Sequence, residues 1–143
     1  MTSASRRLAG AYASVSQDGG IALYGSAESL RNLADTIGGG APADIDLSPP
    51  PEEVLEKGPL STIRVFAGDG GLIDLRVVGE SVEIVGGAAP RAKLAAGLMN
   101  LANTPAFGGE VPRHIDLEYF PGHGFLREGS TWMTVTLLPV LAP

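Results

Sequence analysis

The chain contains no cysteine, which excludes a disulfide scaffold, thiolate zinc sites and a cysteine nucleophile and suits a reducing compartment such as the cytoplasm. No apolar run approaches the roughly 18 residues of a membrane helix, so the expectation is a soluble cytoplasmic protein with no membrane partner. Ser5-Arg6-Arg7 has the paired arginines of an export signal, but the apolar stretch from Leu8 to Ala13 is shorter than the roughly 7 to 15 residues such a signal uses. Positive charge is scarce: 10 Lys and Arg face 16 Asp and Glu, a formal charge of −6. Without a basic cluster to displace counterions, nucleic acid is excluded as a partner. Catalytic furniture is equally thin. Only two histidines are present, and no Gly-x-Ser-x-Gly elbow presents a nucleophile. The glycine-rich stretches Gly68-Asp69-Gly70-Gly71 and Gly86-Gly87 lack the Gly-Lys-Ser or Gly-Lys-Thr of a phosphate loop. The expectation is a protein that is not an enzyme and carries no cofactor.

What the chain does have is internal repetition. Leu30-Arg31-Asn32-Leu33-Ala34-Asp35-Thr36 returns as Leu98-Met99-Asn100-Leu101-Ala102-Asn103-Thr104, and Pro42-Ala43-Asp44-Ile45-Asp46-Leu47 returns in the same order as Pro112-Arg113-His114-Ile115-Asp116-Leu117. Two copies are too few for a solenoid. With 143 residues, 44 % of them apolar, the chain can bury one substantial core. One compact domain over residues 1–143 is therefore expected, made of two repeats at about 10–67 and 71–139, related by a pseudo-two-fold.

Each repeat reads strand, strand, helix, strand, strand. In the first, Ala11 to Ser16 and Ile21 to Tyr24 flank the turn Gln17-Asp18-Gly19-Gly20. A helix follows, with Ser26 as N-cap, an apolar stripe of Leu30, Leu33, Ala34 and Ile37, and Gly38-Gly39-Gly40 as its stop. Asp44 to Ser48 is a strand with Ile45 and Leu47 inward, and Pro49-Pro50-Pro51 opens an extended connection as far as Pro59. A strand from Ser61 to Ala67 closes the unit. Gly68 to Gly71 then reads as a hairpin into Leu72 to Val78, and Gly79-Glu80-Ser81 turns into Val82 to Val85. Pro90 suits the first turn of the second helix, Arg91 and Lys93 face water, and Leu94, Leu98, Leu101 and Ala102 form its buried stripe up to Pro105. His114 to Phe120 and Thr131 to Leu138 complete the copy. The predicted fold is α+β: two strand-strand-helix-strand-strand units, antiparallel sheet, both helices on one face.

The second half, from Val82-Glu83-Ile84-Val85-Gly86 through His114-Ile115-Asp116-Leu117-Glu118-Tyr119-Phe120-Pro121-Gly122-His123 to Glu128-Gly129-Ser130, resembles the immunity protein 32 family of bacterial polymorphic toxin systems. The first half resembles it more loosely, with Asp44 where His114 stands and Ser48-Pro49-Pro50-Pro51 in place of Glu118-Tyr119-Phe120-Pro121. The resemblance implies a small cytoplasmic inhibitor that binds a toxin and performs no catalysis.

Acidic residues and aromatics nominate the contact surface. Asp44, Asp46, Glu52, Glu53 and Glu56 fall within 13 residues and would attract a basic protein surface. His114, Asp116 and Glu118 alternate on one strand, with His123 in a glycine-flanked loop. That set could be read as metal ligands, but no second cluster completes it, and it serves better as protein contact. Phe120 and Phe125 flank the loop, while Tyr119 and Trp132 are expected to pack inward. The expectation is a toxin inhibitor that contacts its partner through these acidic residues with His114, Phe120, His123 and Phe125. Its alternatives are a ligand-binding or scaffold domain, as a homodimer through an exposed strand edge, and a small metal-dependent hydrolase on the His114 strand.

Overall fold

The computed structural model describes residues 5–40, 42–55, 57–68, 71–104 and 113–139. Ten strands form two sheets around two helices. In chain order they are β1 (Ser5–Leu8), β2 (Ala11–Val15), β3 (Ile21–Gly25), α1 (Ala27–Gly38), β4 (Ala43–Leu47), β5 (Gly58–Leu60), β6 (Thr62–Ala67), β7 (Asp74–Val78), β8 (Ser81–Gly86), α2 (Ala88–Ala102), β9 (His114–Leu117) and β10 (Met133–Leu137). The order is β1-β4-β6-β8-β7 in the first sheet and β5-β2-β3-β10-β9 in the second.

Local sequence accounts for most elements. Ser26 caps α1, its hydroxyl accepting from the Ser29 amide at 3.1 Å, which satisfies one of the helix's orphan donors. Leu30, Leu33, Ala34 and Ile37 of α1 and Leu94, Leu98, Leu101 and Ala102 of α2 are all buried, the stripes their spacing requires. Alternation holds in the strands too: Ile45 and Leu47 point inward while Asp46 is exposed. At the β2–β3 turn Gly19 takes φ +89°, and a Cβ on Gly20 would lie 2.1 Å from the Trp132 ring. The turn needs one glycine for its backbone and the other for the indole that covers it.

Both sheets are mixed, which corrects the antiparallel expectation. β6 pairs parallel with β8, β3 parallel with β10, and β1 parallel with β4. The hairpin expected at Gly68 to Gly71 does not form, because β8 lies between β6 and β7. Glycine runs mark a change of direction but not which strand the chain meets next. Nor do the helices cover one face of a single sheet. Leu33 and Ile37 of α1 and Leu98 of α2 meet Ile21 and Met133 of one sheet and Ile63 of the other in a common core.

Two further corrections concern the connections. The stretch after the triple proline is not simply extended: Glu52–Val54 is a 3₁₀ turn, and β5 pairs antiparallel with β2, Pro59 opposite Ser14. Proline is tolerated there because β5 is an edge strand. The strand at His114 stops at Leu117, and the chain then leaves for the other sheet. There the Ile73 amide donates to the Phe125 carbonyl at 2.7 Å and the Arg127 amide to the Ile73 carbonyl at 2.8 Å, capping the β7 side. Pro105 and Pro112 lie outside the described residues.

Arg91 does not face water; it is 5 % exposed. Its Nε donates to the Gly86 carbonyl at 3.0 Å, and one terminal nitrogen donates to the carbonyls of Ile37 at 2.9 Å and Gly39 at 2.7 Å. A cation at the C-terminal end of α1 faces the negative end of the helix dipole and the carbonyls that have no helical partner. Arg91→Ala should cost about 3 kcal/mol of stability by leaving those carbonyls buried and unsatisfied. Arg91→Lys should recover only part of this, since one ammonium cannot reproduce the planar fork. Urea unfolding followed by circular dichroism measures both.

Candidate functional site

The sheet registers assemble a surface from both ends of the chain. On the outer face of the second sheet, Tyr12, Tyr24, Thr136 and His114 lie side by side across β2, β3, β10 and β9. The neighbouring row is Ser14, Ala22, Thr134 and Asp116. This face is fixed by the opposite parity, because Ala11, Ala13, Ile21, Leu23, Met133 and Val135 are buried beneath it. Tyr12 and Tyr24 stack with ring centroids 5.1 Å apart and planes at 26°, a geometry that adds to simple area burial.

The 3₁₀ turn lies over one end of this face. The Ser14 hydroxyl, buried, donates to the Val54 carbonyl at 2.9 Å. The phenol of Tyr12 is raised above its usual pKa by partial burial first, and further by neighbouring Tyr24 and by the negative charge of Glu53. Tyr12 therefore stays a neutral hydrogen-bonding phenol at physiological pH. Sequence reasoning passed over Tyr12 and Tyr24. The signal was there in Ala11-Tyr12-Ala13: two small inward residues force the tyrosine outward.

At the opposite end, His114 Nε2 lies 3.8 Å from Asp116 Oδ2, while Asp116 Oδ1 accepts from the Thr134 hydroxyl at 2.9 Å. Both His114 and Asp116 are exposed, as is Glu118 just beyond the strand. His123 has a different role. Its Nδ1 accepts from the Phe125 amide at 3.1 Å and the Leu126 amide at 2.9 Å, and its ring lies 4.8 Å from that of Phe120 and 4.6 Å from that of Phe125. It holds the loop together. Phe120 is 58 % exposed, whereas Phe125 and Tyr119 pack partly against the core and Trp132 is half-buried.

The acidic run of the first half is not one patch on one sheet. Asp44 and Asp46 lie on the outer face of the first sheet, where Asp44, Arg64, Glu83 and Arg76 follow one another in register. Arg64 Nε is 4.0 Å from Asp44 Oδ1 and Arg76 Nε is 2.6 Å from Asp74 Oδ2. Alternating signs leave this face nearly balanced. Glu52 and Glu53 belong instead to the turn beside the second sheet, and Glu56 lies outside the described residues. Among the described residues no group of three His, Asp or Glu side chains is placed to hold a metal ion.

His123→Ala should remove the acceptor of two backbone amides, lowering stability by about 1–2 kcal/mol. It should also speed hydrogen exchange at Phe125 and Leu126, and His123→Asn, which restores an acceptor oxygen, should recover part of that protection.

No curated protein and no solved structure matches the chain. A family model does. Its match runs over residues 81–136, from the start of β8 through α2 and β9 into β10, 56 of the 143 residues. It therefore contains His114, Asp116, Thr134 and Thr136, half of the outer face just described, together with the whole His123 loop. Over this stretch the chain is similar to immunity protein 32.

Proposed function

We propose that this protein neutralises a cognate bacterial toxin by binding it and covering its active surface, without catalysis of its own. The observation that carries this reading is the immunity protein 32 match over the second half, whose strands form half of the exposed face of the second sheet. Stacked aromatic rings flanked by carboxylates at both ends suit a partner that offers cations and apolar surface. Glu53 at the β2 end and Asp116 and Glu118 at the β9 end would steer and pair with basic groups. Tyr12, Tyr24 and the exposed Phe120 would supply desolvated contact. The first sheet's outer face, already internally paired, has less to offer, and Asp44 and Asp46 contribute to the long-range field.

We also read the chain as a duplication of one unit. Support comes from the pairing order. Along β4-β6-β8-β7 and along β9-β10-β3-β2 the pairs run antiparallel, parallel, antiparallel. Exchanging the two halves of the chain converts one series into the other. Each sheet then joins a hairpin from one repeat to a hairpin from the other, which makes the halves mutually dependent.

The test is co-expression with the product of the adjacent gene. Cells should survive only when both proteins are made, and the two should co-purify. Paired Tyr12→Ala and Tyr24→Ala substitutions should weaken the complex by at least tenfold in a calorimetric titration, as should Asp116→Lys with Glu118→Lys. Survival without this protein, or no complex at micromolar concentration, contradicts the proposal.

A further inference from the structure

Strand β4, with Asp44-Ile45-Asp46-Leu47 within its span, and the four-residue strand β9, His114-Ile115-Asp116-Leu117, occupy equivalent places in their sheets. Each is the outer member of an antiparallel pair, with Asp46 opposite Thr62 and Asp116 opposite Thr134. Their backbones are phased alike. The Leu47 amide donates to the Ser61 carbonyl and the Leu137 amide to the Arg113 carbonyl, both at 2.8 Å. Because hydrogen-bonded and non-hydrogen-bonded pairs alternate in an antiparallel ladder, the amides and carbonyls of Asp44 and Asp46 point away from β6. Those of His114 and Asp116 likewise point away from β10.

The edges differ in what covers them. On β4 the outward groups meet β1, which runs parallel with Arg7 beside Asp46 and Leu8 beside Leu47. Arg7 is exposed and Leu8 is 6 % exposed, so the added strand sets a cation next to the carboxylate and an apolar side chain into the core. Of the other outer strands, β5 is three residues long and contains Pro59, and β7 is capped by the segment around Phe125 and Arg127. Among the described residues no strand pairs with the outer edge of β9. Among the described residues its outward amides and carbonyls have no partner strand, and they lie beside a carboxylate, the arrangement that accepts an added strand.

We infer that the β9 edge is a strand-addition site for an extended segment of the toxin. The segment would run parallel to β9 with a basic residue beside Asp116 and an apolar residue beside Leu117, as Arg7 and Leu8 of β1 lie on β4. Register comes from backbone bonds to His114 and Asp116, and selectivity from the carboxylate. The identity of the partner rests on the immunity reading; the geometry of the site does not.

The test separates backbone from side chain. His114→Pro deletes an outward amide without touching the ladder to β10, whereas His114→Ala keeps the amide and loses only the ring. Each full-length variant is titrated with the adjacent gene's product carrying an inactivating substitution, after circular dichroism shows an unchanged fold. The expected result is at least a hundredfold weaker binding for His114→Pro and less than tenfold for His114→Ala, with the His114 and Asp116 amides slowed in hydrogen exchange only in the complex. A tight, protective complex that His114→Pro leaves unchanged overturns this inference while sparing the immunity reading. Should no complex form with the toxin, a synthetic peptide of residues 3–10 at millimolar concentration is the second probe. Shifts of the His114 and Asp116 amides uphold the strand site, and their absence overturns it. Amides already protected in the free protein, with a dimer in sedimentation, assign the edge to a second copy and also overturn it.

Discussion

The structure turns on a buried guanidinium. Arg91 is the one charged side chain among the described residues that is buried, and it is held by three main-chain carbonyls. A charge so placed is costly unless each hydrogen bond is good. Here the carbonyls come from places that must be brought together: Ile37 and Gly39 end α1, and Gly86 ends β8. The Gly86 carbonyl also accepts from the Gly68 amide at 2.9 Å, so the same contact reaches the end of β6. The close approach leaves no room for side chains, since a Cβ on Gly68 would lie 3.0 Å from the Gly86 backbone and one on Gly86 2.5 Å from Ile73. One guanidinium thereby sets the helix pair against the first sheet. The common core passes that constraint to the second sheet.

From this follows how the surfaces divide. With both inner faces consumed by a shared core, each sheet keeps one outer face, and the two have different chemistry. The first has Arg64 and Arg76 among Asp44, Asp74 and Glu83, so attraction is largely spent within the molecule. The second has tyrosine and threonine across its middle, with Glu53 near one end and His114 and Asp116 at the other. Exposed ion pairs add little to stability, but they lower the field a partner feels, which makes the second face the more useful one for recognition.

How much of this was legible in the sequence depended on the range of the interaction. Ser26, both apolar stripes and the alternation around Ile45 and Leu47 are local signals, and the elements they predict are present. Arg91 was misread because a helical position four residues after Gly87 looks solvent-facing, and two of its three carbonyl partners are 52 and 54 residues away along the chain. The parallel pairs β3–β10 and β6–β8 were invisible for the same reason: periodicity says which face of a strand is buried but not which strand lies beside it. β1 and β5 are three or four residues long, too short for alternation to register. At the candidate site, His114 and Asp116 were found by their spacing and do share the exposed face. The acidic run, continuous in sequence, is divided in space, because a triple proline carries the chain from one sheet to the other between Asp46 and Glu52.

The division of labour between halves also bears on the family match. Residues 81–136 contain β8, whose parallel neighbour β6 comes from the first half, and β10, whose parallel neighbour β3 does too. Within the matched segment β8 therefore has neither of its neighbours, since β7 also lies outside it, and β10 has only β9. Those parallel edges are covered by β6 and β3 of the first half, so the matched segment depends on the rest of the chain for its sheet partners. β1 occupies the β4 edge, whereas no described strand covers the outer edge of β9, so the two edges differ in whether the chain fills them itself. One edge is covered by a strand that sets Arg7 beside Asp46, and the other keeps the same backbone phasing with Asp116 in the corresponding place.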